Sequence, residues 1–488
     1  MGGIPREDII ARWNSLLGDT GYSWLNDLES DESKKIGPYS IMLPWNERRN
    51  GIYDYFVQNE FRGSEDAYSD AFAVVRSQLP KALRVSTLES AFEGMPRGTN
   101  WGLPLFTKRQ ESYPEYLLRA KEADSNAYQM ASEVYPAVLF WRGQAQGLDL
   151  DPKQRDVWGV DHMPIIVGKT YVDPLLKALK YQRGFSAWTG FDEVDKRVTE
   201  MLERRLPIFS VDFSGFDKSA NRRLIQSAYS LIDSCFSNLP IARLKFKENV
   251  FLTNSIVTPD GILQGRNGGV PSGIDDTNLI DTLINALAAN YVAERMGIGL
   301  IHGEFMGDDG LWQFSEPVDL ELVGLAVAEL GLTLNTGKTS VSTDMVHFLQ
   351  RVHHYQYFLE GLNRGVRSTM RTLGSMMSFE RMRQGWTGEF NTLRWIMQVE
   401  NTKWHPKFDE FVDFLRQGDE FLQDRNPIEI LKAIGGWRGA EGVLGVTSFP
   451  WRVESLKGLA SFRTVRELAL LSKHQSGIDN ETLAESER

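Results

Sequence analysis

The sequence predicts an α+β fold in which an antiparallel sheet is backed by helices and followed by a separate helical lobe. Three observations predict it. First, the apolar run Leu206-Pro207-Ile208-Phe209-Ser210-Val211 reads as a buried strand ending at the acid Asp212, and Leu224, Ile225, Ala228, Leu231, Ile232, Cys235 and Phe236 then recur at helical spacing. Second, Phe305-Met306 and Leu311-Trp312-Gln313-Phe314 flank a Gly307-Asp308-Asp309-Gly310 turn, the pattern of a tight hairpin. Third, from about residue 368 onward the apolar positions, among them Met376, Phe379, Met382, Trp395, Ile396, Phe411, Val412, Leu415 and Leu431, keep a helical period with no strand between them.

Pro5 followed by Ile9, Ile10, Trp13, Leu16 and Leu17 predicts an amphipathic helix over 5–17 that opens at a proline. Residues 18–65, aromatic-rich and broken by Gly37-Pro38 and Asn50-Gly51, read as long loops, and a helix is expected around 66–90. The stretch Arg97-Gly98-Thr99-Asn100-Trp101-Gly102-Leu103-Pro104, followed by Lys108 and Arg109, suits a loop that lets a phosphodiester backbone come close, although an ordinary surface loop would look the same. Residues 112–147 read as largely helical. Asp151 to Val160 alternates charged and apolar residues as an exposed strand does, with Lys153 and Arg155 on one face where two cations could receive a triphosphate. A second basic cluster follows at Lys177, Lys180 and Arg183.

Beyond the Asp212 strand and its helix, 239–268 holds Lys245, Lys247, Arg266 and several strand-like pieces, and reads as an insertion. The glycine-rich stretch from Gly265 to Gly273 leads into a strong helix with an apolar face at Leu279, Ile280, Leu283, Ile284, Leu287 and Tyr291. The opposite stripe, Thr277, Asn278, Asp281 and Asn285, is polar, and must meet either hydrogen-bond partners such as a ribose or solvent. Past the hairpin come a helix stopped by Gly331, a strand over 332–335, a turn at Gly337-Lys338-Thr339 and a strand over 346–352. The tail from His474 to Arg488 is polar.

At 488 residues the chain is long enough for two or three domains or one multi-lobed enzyme, and 42% apolar with 11% aromatic residues supplies a sizeable core. A formal charge of −11 argues against a broadly basic surface, so any nucleic acid must meet a local basic channel. The single cysteine, Cys235, falls on a helical apolar face and reads as a core thiol; it rules out an internal disulfide framework. No run of 18 apolar residues occurs, and Met1 to Arg6 lacks a signal-peptide apolar region and, with Arg6, a myristoylation signal, so no membrane attachment is expected.

Two strand ends in one sheet would place Asp212 and Asp308 side by side. Paired carboxylates repel unless a cation lies between them, and hard divalent cations take oxygen ligands. Such a pair can organise in-line phosphoryl transfer.

The order strand-Asp212-x4-Asp217, Pro271-Ser272-Gly273-x3-Thr277 opening a helix, Gly307-Asp308-Asp309 between strands, Gly331-x-x-Leu334-Asn335-x-x-Lys338-Thr339, then Phe348-Leu349-x-Arg351 resembles the successive palm motifs of viral RNA-dependent RNA polymerases. The wording is most similar to the double-stranded RNA viruses of the picobirnavirus and partitivirus kind, and the specific resemblance covers about 150 to 355. It implies a right-hand polymerase: fingers with N-terminal fingertip segments over 1–206, palm over 207–238 and 270–358, a fingers insertion over 239–269, and a thumb with C-terminal tail over 359–488. It implies RNA-templated RNA synthesis from NTPs with two Mg²⁺ ions (Mn²⁺ as the alternative), held by Asp212, the Phe213 carbonyl, Asp308 and, in a lesser role, Asp309. Lys338 resembles the lysine that acts as general acid toward pyrophosphate. Lys153, Arg155, Asp217, Ser272, Gly273, Thr277, Asn278 and Asp281 match the nucleotide site, Asp217 lying near the 2′-hydroxyl that separates RNA from DNA. Gly98, Thr99, Asn100 and Gly102 resemble the loop through which template enters, and Phe348, Leu349 and Arg351 the strand that grips the end of the growing RNA. The implied partners are template and nascent RNA, NTPs and a viral capsid protein, with no membrane; the implied location is the host cytoplasm and the virion interior.

One departure stands out. Many relatives carry Asn where this chain has Asp281, and two acids facing each other repel unless one is protonated or a donor intervenes; Asn278 or Asn285 could supply that donor. Other classes share some of these features. A reverse transcriptase has the same paired acids but usually an aromatic residue where Gly307 stands; an RNA-binding scaffold without catalysis needs no metal; a two-metal nuclease needs no nucleotides.

Overall fold

The computed structural model describes residues 4–38, 41–57, 59–95, 100–107, 113–125, 134–144, 147, 154–378, 386–422, 425–433 and 462–476. They form two compact units, one built from the described residues of 42–142 and 154–365, the other from those of 1–41, 143–153 and 366–488. Helix and sheet are mixed in the first, and the second is helical, so the α+β class holds.

Twelve short strands belong to the first unit: β1 (Ala137–Arg142), β2 (Arg155–Gly159), β3 (Ile208–Val211), β4 (Ile256–Thr258), β5 (Gly261–Leu263), β6 (Leu300–Met306), β7 (Asp309–Phe314), β8 (Ser340–Ser342), β9 (Met345–Phe348), β10 (Arg351–His354), β11 (Phe358–Leu359) and β12 (Leu362–Asn363). The central sheet has the order β6-β7-β3-β8 and is antiparallel throughout. All four β3 residues are buried, which is why the run reads as continuously apolar instead of alternating. Helices Arg222–Ser234 and Thr277–Met296 share one apolar core with that sheet, which includes Ile225, Leu283, Phe209 and Trp312.

A second sheet, β2-β1-β4-β5, pairs β1 with β4 in parallel and is otherwise antiparallel. It corrects two expectations. Among the described residues of 112–147, helix Tyr113–Ser125 is joined by a strand, β1, an Ala-Val-Leu-Phe-Trp-Arg run whose periodicity alone does not separate strand from helix. The insertion opens with a helix, Ile241–Thr253, before its strands. Its buried positions, Arg243, Leu244, Phe246, Lys247, Glu248 and Val250 to Leu252, surround much of the helix and blur the period.

Two further strands are reshaped. Residues 332–335 contribute one bridge, Phe213 to Leu334, and no regular strand. Residues 346–352 are not one strand but parts of the hairpin β9–β10, reversed at Leu349 and Gln350, whose φ values of +51° and +62° are left-handed.

In the second unit, Arg6–Leu17 is the amphipathic helix the sequence predicts, burying Ile9, Trp13 and Leu17. Trp13 packs tilted against Phe411, ring centroids 4.6 Å apart, and donates from Nε1 to Thr369 Oγ1 at 2.9 Å. Within 18–65, expected to be loops, Ser23–Ser33 is helical. Its inward positions are Leu25, Glu29 and Glu32, so hydrophobic period gave no signal. Buried Glu29 instead caps helix Thr369–Met377, accepting from the Thr369 and Met370 amides (2.6 and 3.0 Å) and from Ser368 Oγ (2.6 Å). No helix among the described residues is long and apolar enough to cross a membrane.

Candidate active site

Register places the paired acids. Val211 stands opposite Gly310 and Met306 opposite Asp309, so Asp212 leaves the sheet beside the tip of the β6–β7 hairpin that carries Asp308. Each acid is gripped by backbone. The Asp212 amide donates to Thr339 Oγ1 at 3.1 Å and its carbonyl accepts from the Asn335 amide at 2.8 Å, while the Ser214 amide donates to Thr333 O at 2.9 Å. With the bonds made by the residues on either side, Phe213 is the non-hydrogen-bonded member of this antiparallel contact, and its own carbonyl points away from 333–335.

The hairpin tip is held from the 277–296 helix. Asn285, fully buried, donates from Nδ2 to the carbonyls of Gly307, Asp308 and Asp309 (3.0, 3.2 and 3.2 Å) and accepts from Trp312 Nε1 at 3.1 Å. Thr282 Oγ1 accepts from the Gly307 amide at 2.8 Å. Gly307 has φ +64°, and a Cβ on Gly310 would lie 2.9 Å from Asn285 Oδ1, so both glycines are required by the turn. The polar stripe is therefore not a solvated face: Asp281 and Asn285 are buried, and only Asn278 is exposed.

Asp217 lies just past the left-handed Gly215 (φ +59°), in the short helix Phe216–Ser219. Its carboxyl is within hydrogen-bonding reach of Asp281. Burial first, then the charge of Asp308, pushes Asp217 up to about 6, against the pull of Arg155 and Lys218. Burial, Asp217 and Asp308 together push Asp281 well above the usual carboxylate range. The rise favours the protonated form of Asp281, the form that can donate to Asp217 and so relieve the acid-facing-acid arrangement. Asp308 is reached by solvent, but crowding protein atoms displace enough water to raise its carboxyl, and the charge of Asp212 adds to the rise while Arg155 opposes it.

Ser272 Oγ donates to Asp156 O at 2.9 Å and Ser272 O accepts from the Trp158 amide at 2.9 Å, stitching the loop to β2. Gly273 has φ +107°, and a Cβ there would lie 2.4 Å from Trp158 O. Thr277 Oγ1 closes the loop by donating to Pro271 O at 2.8 Å. Arg155 is exposed at the start of β2, directly opposite Arg142, also exposed, in the β1 ladder. Like charges across a ladder repel unless an anion lies near, and Arg142 had no signal in the sequence because β1 itself had none. Lys338 is exposed, one residue from the Thr339 clamp on Asp212. Thr282 also went unnoticed, and Thr339 was read only as part of a turn and motif, since a hydroxyl that grips a backbone leaves no pattern.

Of the residues expected to contact RNA, Asn100, Gly102, Phe348, Leu349 and Arg351 are described, and most of them have protein partners of their own. Phe348 is buried, and Arg351 is 2% exposed, pairing with Asp195 at 3.1 Å and lying 4.3 Å over the Phe191 ring, so neither is presented to a ligand; only half-buried Leu349, at the hairpin turn, is partly open. Gly102 is buried, and the close approach it permits is to Val160 O, 2.3 Å from where its Cβ would sit. Asn100 spends its side chain inside the loop, donating to Phe106 O and accepting from the Gly102 amide, both at 2.8 Å. Lys153, Gly98 and Thr99 lie outside the described residues.

Among the described residues no three His, Cys, Asp or Glu side chains form a metal cage. The donors present fit a different demand. Two mutually repelling carboxylates and an outward-turned carbonyl are hard oxygens, and Mg²⁺ commonly takes one or two carboxylates, its remaining positions going to water and substrate phosphates.

Comparison with known proteins bears on this arrangement. The model of viral RNA-dependent RNA polymerases matches residues 56–412. A potential RNA-dependent RNA polymerase of a human picobirnavirus is 30% identical over 441 residues, 86% of this chain and 81% of that one. An RNA-directed RNA polymerase of Cryptosporidium parvum virus 1 is 24% identical over 317 residues, 60% of this chain and 59% of that one. The crystal structure of a human picobirnavirus RNA-dependent RNA polymerase superimposes with a TM-score of 0.79 at 27% identity, covering 96% of this chain and 92% of that one.

Proposed function

The chain belongs to the viral RNA-dependent RNA polymerase family and is an RNA-directed RNA polymerase; from that premise we propose how its residues divide the work. The observation that carries the proposal is the convergence of Asp212 and Asp308 at one end of the central sheet, each fixed through its backbone. Asp212, the Phe213 carbonyl and Asp308, with Asp309 beside them, hold two Mg²⁺ ions, Mn²⁺ being the alternative. Bound there, the pair supplies Lewis acidity to the attacking 3′-hydroxyl and the α-phosphate and offsets the charge of the departing pyrophosphate.

The protein's own groups align and neutralise. Arg155 with Arg142, and Lys338, receive the triphosphate, and Lys338 returns a proton to the leaving group. Asp217, held by the proton on Asp281, accepts from the ribose 2′-hydroxyl, with Ser272, Gly273 and Thr277 lining the sugar side and Asn278 at its edge. Base pairing reads the template. The fingers comprise 1–206 and 239–269, the palm 207–238 and 270–358, and the thumb 359–488, with Ile9, Trp13 and Leu17 of the first helix packed among the thumb residues of their own compact unit. The reading extends to replication and transcription of a double-stranded RNA genome in the host cytoplasm and inside the virion, beside a capsid protein, supported by the picobirnavirus relative.

The test is incorporation of labelled NTP on a single-stranded RNA template with Mg²⁺. Template-length product that requires all four NTPs and disappears in Asp212→Ala and Asp308→Ala, with folding intact, is the expected result. Product surviving both substitutions overturns the site; product made equally from dNTPs overturns the sugar assignment.

A further inference from the structure

The loop carrying Ser272 and Gly273 is stitched to β2 at one end; at its other end it rests on a buried ion cluster. Lys247, on the insertion helix Ile241–Thr253, is 0% exposed. Its Nζ lies 2.5 Å from Asp275 Oδ1, 3.5 Å from Asp276 Oδ1 and 3.3 Å from Pro164 O. Asp276, also wholly buried, accepts from Tyr229 Oη at 2.7 Å and sits at the N-cap position of the 277–296 helix. Four helices thus meet at one cluster: His162–Leu179 through Pro164 and Thr277–Met296 through its N-cap Asp276 at the ammonium of Lys247 on the insertion helix, and Arg222–Ser234 through Tyr229 at Asp276.

The cluster is poorly balanced. Two carboxylates share one lysine, and Asp275 Oδ2 and Asp276 Oδ1 are buried without accepting a hydrogen bond. An apolar cluster of similar volume is commonly as stable or more stable than a buried ion cluster, so stability alone is a weak reason for this one. What the charges add is direction. They fix Asp275 and Asp276 in one register, and those residues lie between Gly273, lodged against Trp158 O, and Thr277, bonded to Pro271 O. Gly168, on the 162–179 helix, leaves the space the ammonium occupies: a Cβ there would stand 2.8 Å from Lys247 Nζ and 3.2 Å from Asp275 Oδ2.

We propose that Lys247 is a positioning residue which, through Asp275 and Asp276, sets the loop carrying Ser272 and Gly273 and so governs how strictly the sugar of the incoming nucleotide is read. The inference rests on the reading above that this loop faces the ribose. Lys247 touches neither substrate nor metal; it acts through the loop.

Two variants test it on the full chain. Lys247→Met combined with Asp275→Asn and Asp276→Asn removes the charges together and leaves no buried ion unpaired. Gly168→Ala keeps every charge, favours the helix, and pushes on the ammonium. Steady-state incorporation of NTP and of the matching 2′-deoxy-NTP on one RNA template is read beside thermal melting. In both variants the fold is expected to persist, with kcat within about twofold, KM for NTP raised about tenfold in the triple variant and a few-fold in Gly168→Ala, and the ribose preference falling by similar factors. Folded variants with wild-type KM and preference overturn the proposal, as does a loss that follows only the folded fraction. A change in KM with unchanged sugar preference overturns the link to the ribose. Failure of the polymerase reading itself is distinct, since wild type would then make no product.

Discussion

Two acidic clusters in the same compact unit, one wholly buried and one partly open, are treated in opposite ways. Asp195, on the helix Phe191–Glu203, accepts from Arg351 Nη1 at 3.1 Å, His353 Nε2 at 2.9 Å and the Gly365 amide at 3.1 Å, with Arg364 3.5 Å away. Burial works against its charge, but Arg351, His353 and the Gly365 amide outweigh it and hold the carboxyl below its usual range. Around Asp308, Asp217 and Asp281 the balance reverses: burial and mutual repulsion exceed what Arg155 and Lys218 return, and all three carboxyls rise. In the first cluster the charge of the acid is answered by the protein's own cations. The second has its charge only partly answered, which suits a site whose remaining cations arrive with the substrate.

The comparison breaks if the two clusters respond alike to substitution. The largest expected effect is on catalysis: Asp308→Ala and Asp212→Ala lower synthesis by about 10³-fold or more while leaving the melting temperature unchanged or raised, since each removes repulsion along with function. Parallel NTP-incorporation and melting measurements check this. Asp195→Ala has the opposite profile, costing about 3–5 kcal/mol by stranding buried guanidinium groups, with activity lost only as the folded fraction falls. Denaturant unfolding monitored by fluorescence reads it. A smaller effect is expected at Asn285→Ala, where three carbonyls lose a donor and an indole loses its acceptor, costing about 1–3 kcal/mol, with kcat dropping more than stability explains.

The smallest effect concerns pH. The raised Asp217 carboxyl contributes stability that is present below about 4 and is lost as pH rises through about 6, whereas the depressed Asp195 contributes stability present above about 4 and lost on further acidification. Asp281→Asn supplies a permanent donor to Asp217, so it is expected to stabilise the protein by about 1–2 kcal/mol at pH 8 and by little at pH 5. Equal gains at both pH values, read from melting curves, would separate the effect from proton sharing.

The same contrast explains what the sequence revealed. Asp212, Asp308, the hairpin and the 277–296 helix were legible because apolar periodicity surrounds them and the acids stand at its breaks. The Ser23–Ser33 helix was not, because its inward face is built on Glu29 and Glu32. The resemblance could place Arg351 on the strand that grips the growing RNA, but not name its partner in the fold, Asp195, which lies 156 residues away. Asn100 and Gly102 match a ligand-binding loop in composition, yet their special geometry is consumed by Phe106 and Val160. The Asp281 question could be posed from sequence but answered only by burial, since a proton shared between acids requires both to leave water together.

Asn285 ties positions that lie far apart in the chain into one inheritable unit. Its amide serves carbonyls at 307, 308 and 309 and an indole at 312, and Gly310 must stay bare to admit it. A lineage that drifts at 285 loses donor and acceptor at once, and a side chain gained at 310 expels the amide. Positions 285, 310 and 312 are therefore expected to change as a set or not at all, a signature that an alignment of relatives can read as covariation.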